Sequence, residues 1–126
     1  MKASKLTVVS VPVKDQQAAK VFYSEVLGFE VVNDTSMGEG RGRWVQLRPR
    51  GGEATISLVT WFEAMQAGGL RGLVLAVDDM DAARETLASR GLKTSDVTSE
   101  PWGKFSMFDD PDGNGWILHE APKSWS

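Results

Sequence analysis

One histidine, His119, and a short acidic string, Asp110-x-Asp112-x-Asn114, are the residues of this 126-residue chain that look most able to do chemistry. An imidazole with an ordinary pKa of about 6.5 takes or gives a proton near neutrality, so His119 is a candidate proton shuttle. Strand alternation sends its neighbour Glu120 to the opposite face, so the two do not make a dyad. With no carboxylate to pair it, a histidine bonded to backbone or water is the favoured reading. Ser10 and Tyr23 are the hydroxyls a metal-free enzyme would use beside it, although Tyr23 reads first as helix core next to Phe22. The acidic string opens like an EF-hand calcium loop, but its twelfth position, which requires a bidentate glutamate, is Ala121. Pro111, Asp112, Gly113 and Asn114 read instead as a tight hairpin turn. Zero cysteines exclude disulfides, thiolate metal sites and a cysteine nucleophile.

Aromatic and charged residues bear on binding. Of five tryptophans, Trp44 and Trp102 fall at hairpin or loop edges, where they can wall a pocket or stack on an aromatic ligand. Trp116 reads as core, and Trp102, in Pro101-Trp102-Gly103, reads equally as pocket wall and as core. Arg41, Arg43, Arg48 and Arg50 lie in the first hairpin, and Asp109, Asp110 and Asp112 occupy the matching place in the second. They read as solvated tips or as complementary patches that set register, with Arg43 also able to reach an anionic ligand. A net charge of −3 with no basic face argues against a nucleic-acid partner. No apolar run approaches the roughly 20 residues of a membrane span, and residues 1–5 lack a signal-peptide core, so no membrane partner and a cytoplasmic location are expected.

The elements that must position these residues come as a repeat. Val11-Pro12-Val13-Lys14-Asp15, Ala18-Ala19 and Leu27-Gly28-Phe29 return as Leu75-Ala76-Val77-Asp78-Asp79, Ala82-Ala83 and Arg90-Gly91-Leu92. Each copy reads as strand, helix and glycine stop. In the first half, strands are expected at 6–13, 29–32, 44–47 and 54–59, with a helix over 16–27 whose apolar face is Ala18, Phe22 and Val26, flanked by Ala19, Val21 and Leu27. Residues 33–41 read as a polar turn, and 61–71 as the connection between halves, with a helical turn near 62–66. In the second half, a strand at 73–77 precedes a helix from the Asp79 cap to Arg90, its stripe being Met80, Ala83 and Leu87. A closing hairpin of 105–108 and 116–119 follows, and 122–126 reads as a loose tail. The fold class is α+β: two β-α-β-β-β modules, about 5–60 and about 70–121, related by a pseudo-twofold within a single domain, 1–126, and forming an open-barrel cleft. Alternation places Val8, Ser10 and Pro12, and Gly72, Val74 and Ala76, toward that cleft.

The paired order, with Phe22-Tyr23, Leu27-Gly28-Phe29 and Phe108-Asp109-Asp110-Pro111-Asp112-Gly113-Asn114, resembles the vicinal oxygen chelate superfamily over nearly the whole chain. That superfamily groups glyoxalase I, extradiol dioxygenases, fosfomycin-resistance enzymes and bleomycin-resistance proteins. In its metal-dependent members a histidine opens the first strand of each half and a glutamate lies on the last strand. Carried over, these positions fall on Val8, Gly72 and Ile117, none of which offers a donor side chain. The resemblance therefore implies a metal-free protein without cofactor that binds and sequesters a small molecule, aromatic ligands included. Ser10, Trp44, Trp102, Ile117 and His119 are the expected ligand-binding residues. It also implies a homodimer, and leaves open whether the cleft forms within one chain or by exchange of modules between two. The alternative is a glyoxalase-like lyase or isomerase, or a dioxygenase-related enzyme, with His119 as the catalytic candidate. A regulatory subunit without ligand is a third reading.

Overall fold

Two four-stranded sheets, each crossed by one helix, make up the computed structural model, which describes residues 1–125. The first half contributes β1 (Val8–Pro12), α1 (Gln16–Val21), β2 (Glu30–Ser36), β3 (Arg43–Arg48) and β4 (Thr55–Val59). The second contributes β5 (Leu73–Ala76), α2 (Met80–Ser89), β6 (Thr98–Glu100), β7 (Gly103–Asp109) and β8 (Gly115–Glu120). The strand orders, β1-β4-β3-β2 and β5-β8-β7-β6, repeat one plan. In each, the first strand pairs parallel with the last, and the others pair antiparallel. The α+β architecture of two β-α-β-β-β units is therefore as the repeat implies.

Both helices start where an aspartate can cap them. Asp15 Oδ1 accepts from the Ala18 N–H and Asp79 Oδ1 from the Ala82 N–H, each at 3.0 Å. At α2 a second carboxylate assists: Glu120 Oε1 accepts the Met80 N–H at 2.7 Å, so the residue that faces away from the His119 side serves the helix. Helix α1 departs from the even 16–27 helix of the sequence reading. It is α-helical only to Val21 and continues as a π-helical segment, Phe22–Val26. The Leu27 N–H reaches back to the Phe22 carbonyl, and Gly28, at φ +74°, turns the chain out. The apolar stripe shifts accordingly: Ala19, Phe22 and Tyr23 are buried, whereas Ala18 and Val21 are exposed.

Elsewhere the chain corrects the polarity argument. Strand β2 runs to Ser36 through residues that read as a turn, because an edge strand exposed on both faces needs no apolar alternation. Cross-strand partners hold it: Arg43 donates from Nε and Nη2 to Asp34 at 2.9 and 2.6 Å, and Lys20 Nζ reaches the same carboxylate at 2.6 Å. The Arg and Asp clusters do not face one another across the halves. Arg43 pairs with Asp34 and Arg48 with Glu30, Arg71 takes Asp109, and Asp110 is buried. The short β6, three exposed residues, carries no apolar signal of its own. The tail is not loose throughout, since Lys123–Trp125 forms a 3₁₀ turn; Ser126 lies outside the described residues.

One core joins the halves. Val11, Val45, Leu47 and Leu58 of the first sheet and Phe108, Trp116 and Leu118 of the second bury the faces that carry the helices, with Tyr23, Phe29, Met80 and Leu87 between them. Trp116 is core, as its place in the closing strand implies. The opposite face of each sheet is left for function.

Candidate functional site

Alternation along the strands places two equivalent rows on the faces turned away from the core. In the first sheet Ser10 pairs with Ser57 and Ser57 with Gln46. In the second, Val74 pairs with Ile117 and Ile117 with Met107. The rows correspond because the Val13 N–H binds the Val59 carbonyl as the Val77 N–H binds that of His119. The same surface is thus polar in one half and apolar in the other.

The polar row continues into a hydrogen-bonded ladder. Gln46 Oε1 accepts from Trp44 Nε1 at 3.0 Å and from Asn33 Nδ2 at 3.2 Å. Its Nε2 donates to Thr55 Oγ1 at 2.9 Å, and that hydroxyl donates to the Thr7 carbonyl. Trp44 is therefore fixed in the strand, not at a hairpin edge, with Trp61 6.4 Å away and Phe62 beyond it. Ser10 is half-buried on this face. Among the described residues, Ser57 Oγ is a buried polar atom with no hydrogen-bond partner, which costs free energy unless something meets it.

The apolar row floors a cavity of about 300 Å³ lined by Ser95, Thr98, Trp102, Phe105, Met107 and Ile117. Val74, Met107 and Trp102 are 58%, 57% and 52% exposed, an unusual display of large apolar groups on one sheet face. Trp102 and Ile117 of the expected binding set meet here, whereas Ser10 and Trp44 lie on the other sheet. His119 is next to the cavity but engaged. Its Nε2 lies 2.9 Å from the Trp102 carbonyl, which can only accept, so Nε2 carries the hydrogen. Its ring stacks on Phe105, centroids 4.7 Å apart and planes 10° from parallel.

His119, Ser10 and Tyr23 are not assembled as catalytic partners. Tyr23 is enclosed in the core, donates to Asp110 Oδ2 at 2.6 Å and accepts from Trp116 Nε1 at 2.9 Å. Burial, reinforced by the hydrogen bond to Asp110, holds its phenol far above the usual range, so it stays protonated. Asp110 and Asn114 do structural work that the calcium-loop comparison does not reveal. Asn114 Nδ2 donates to Asp110 Oδ2 and to the Pro12 carbonyl, both at 2.8 Å, while its Oδ1 accepts the Leu70 N–H. A turn residue thereby ties β1, the connection and β8 together. Sequence reasoning misses this, and also misses Phe105, Met107 and Gly103; alternation back from Ile117 across a hairpin is the signal that finds Phe105 and Met107.

A divalent ion does not fit the positions where it would be expected. Val8, Gly72 and Ile117 have no donor side chain, and among the described residues no group of three His, Cys, Asp or Glu side chains could hold a metal.

Comparison with known proteins adds to this geometry. The family model described as Glyoxalase/Bleomycin resistance protein/Dioxygenase superfamily matches residues 5–118. The solved structure of TnmS3, an antibiotic binding protein from Streptomyces sp. CB03234, is 42% identical with a TM-score of 0.90, covering 97% of this chain and 99% of that one. A glyoxalase/bleomycin resistance protein from the same Streptomyces is 43% identical with a TM-score of 0.83, covering 91% and 99%. The uncharacterized protein YetH of Bacillus subtilis (strain 168) is 33% identical over 116 residues, 89% of this chain and 94% of its own length.

Proposed function

Since the chain belongs to the glyoxalase/bleomycin resistance protein/dioxygenase superfamily, we propose that it binds a small organic molecule, of the antibiotic or metabolite class, by enclosure and without metal. The observation that carries this reading is the cavity of about 300 Å³ whose lining is mostly apolar, with Trp102, Phe105, Met107 and Ile117 beside Ser95 and Thr98. Such a lining takes up apolar area and flat rings, with the Ser95 and Thr98 hydroxyls beside them. Ser10, Trp44 and His119 join Trp102 and Ile117 in the proposed binding set, the first two from the polar half-face. The antibiotic-binding neighbour supports the ligand class, and the donor-free residues at Val8, Gly72 and Ile117 support binding without an ion.

The protein acts as a homodimer in this proposal, in the cytosol. An apolar face that exposes Val74, Met107 and Trp102 by more than half favours a covering partner. Among the described residues no helix is long and apolar enough to cross a membrane.

The test has two arms. Tryptophan quenching by a panel of aromatic antibiotics is expected to give saturable, one-per-chain binding that Trp102→Ala weakens. Elemental analysis after dialysis against zinc, nickel, manganese and iron(II) is expected to find no stoichiometric metal. Near-stoichiometric retention with no response to any antibiotic would overturn the reading in favour of a metal-dependent lyase or dioxygenase.

A further inference from the structure

Trp102 owes its position to very little of its own. It and Pro101 are the two residues between β6 and β7, where Glu100 pairs with Gly103, and its indole makes no hydrogen bond among the described residues while being 52% exposed. A tryptophan on so short a turn would swing with the turn unless the backbone were held.

The holding group comes from β8. His119 is in register with Phe105 on one side and Ala76 on the other. It lies flat on the Phe105 ring and sends its Nε2–H to the Trp102 carbonyl at 2.9 Å. Trp125 meets the imidazole edge-on at 5.9 Å, closing its outer side. Gly103 makes the approach possible: at φ +134°, a Cβ there would collide with His119 Nε2 and sit 2.6 Å from the Glu120 carbonyl oxygen. Phe105 belongs both to this stack and to the cavity lining, so the same contacts that brace the turn fix the wall.

We infer that His119 is a positioning residue that braces the Trp102 turn and thereby sets the spacing between Trp102 and the Met107–Ile117 floor, selecting a planar aromatic ring system as ligand. This rests on the binding reading of the cavity and deepens it. The nitrogen that faces the turn gives its hydrogen to a carbonyl that can only accept, so Nε2 serves the turn and not a substrate. A ring sliding between Trp102 and the floor meets aromatic and sulfur contacts, which favour flat π-systems over branched aliphatic ones.

Two substitutions separate the bond from the ring. His119→Gln keeps an amide donor near the Nε2 position and loses the stack, and His119→Phe keeps the stack and loses the donor. Two readouts accompany them. One is acrylamide quenching of Trp102, taken as the difference between each protein and its Trp102→Phe counterpart. The other is binding of 8-anilinonaphthalene-1-sulfonate as a planar aromatic probe.

His119→Phe is expected to make Trp102 more quenchable and to weaken the probe about three- to tenfold, the loss of one hydrogen bond, at an unchanged melting temperature. His119→Gln is expected to restore both toward wild type. The inference is overturned if His119→Phe matches wild type in both readouts, or if Gln and Phe are impaired equally. Failure of the wild-type protein to bind any aromatic probe would refute the binding reading and the ligand selection that rests on it, whereas the quenching comparison decides the brace without a ligand.

Discussion

At Tyr23 a position that reads as plain helix core carries a hydrogen bond across the molecule. Its hydroxyl donates a hydrogen bond to Asp110 in the second half and accepts one from the Trp116 indole N–H, all three groups being buried. Tyr23→Phe keeps the ring but leaves the Trp116 N–H without an acceptor, and a cost of about 1–3 kcal/mol in urea denaturation is expected. A loss below a few tenths would mean that water replaces the phenol. Asp34 gives a pH-dependent prediction. The hydrogen bond from Arg43, with that from Lys20, holds its carboxyl well below the usual carboxylate range. Its folded value lies below the unfolded value of about 3.9, so these pairs contribute stability that is fully present above that pH and lost progressively as the pH falls from there through the lower folded value. Asp34→Asn is expected to lower Tm by roughly 1–5 °C at pH 7, modest because the groups are partly solvated, and the gap should begin to narrow below about pH 4 and shrink steadily as the pH falls further. A gap that stays constant down to about pH 2.5 contradicts the assignment.

Among the elements, the two capped helices and the closing hairpin are legible because Asp15, Asp79, Gly28 and Gly91 mark ends whose geometry is local. Strand β2 and the π-helical segment are not. Asp34 and Asn33 look like turn residues until Arg43 and Gln46 arrive beside them, and the π segment lies where Tyr23 packs against Trp116 with Phe22 edge-on to its ring. Glu120 is likewise silent in the sequence, since its partner is the Met80 N–H, 40 positions away. Glu120→Ala is expected to cost about 0.5–2 kcal/mol by uncapping α2, and Glu120→Gln distinctly less, because the amide still accepts. Thermal denaturation of the two variants checks the order, and equal losses would place the effect in charge instead of in the hydrogen bond.

Over the whole molecule, the halves share their core: Phe29 and Tyr23 pack on Trp116, Arg90 Nη1 donates to the Val26 carbonyl, and Asn114 spans β1 and the connection. Neither half buries enough alone, so a fragment of residues 1–66 is expected to lack the dispersed NMR spectrum of a fold, and the intact chain to unfold in one cooperative step. A dispersed spectrum from the fragment would show two independent units. The sequence by itself determined the repeat, the α+β class, the helix caps, the buried Trp116 and the absence of donors at Val8, Gly72 and Ile117. All of these depend on neighbours within a few positions or on residue identity alone. Only the tertiary structure decided that Trp102 and Ile117 share a cavity while Ser10 and Trp44 lie on the other sheet, that His119 is spent on a backbone carbonyl, and that Asp110 and Asn114 hold the halves together. Those outcomes turn on cross-strand register and on which buried polar groups find partners, and contacts between residues distant in the chain are settled only once the sheets have packed.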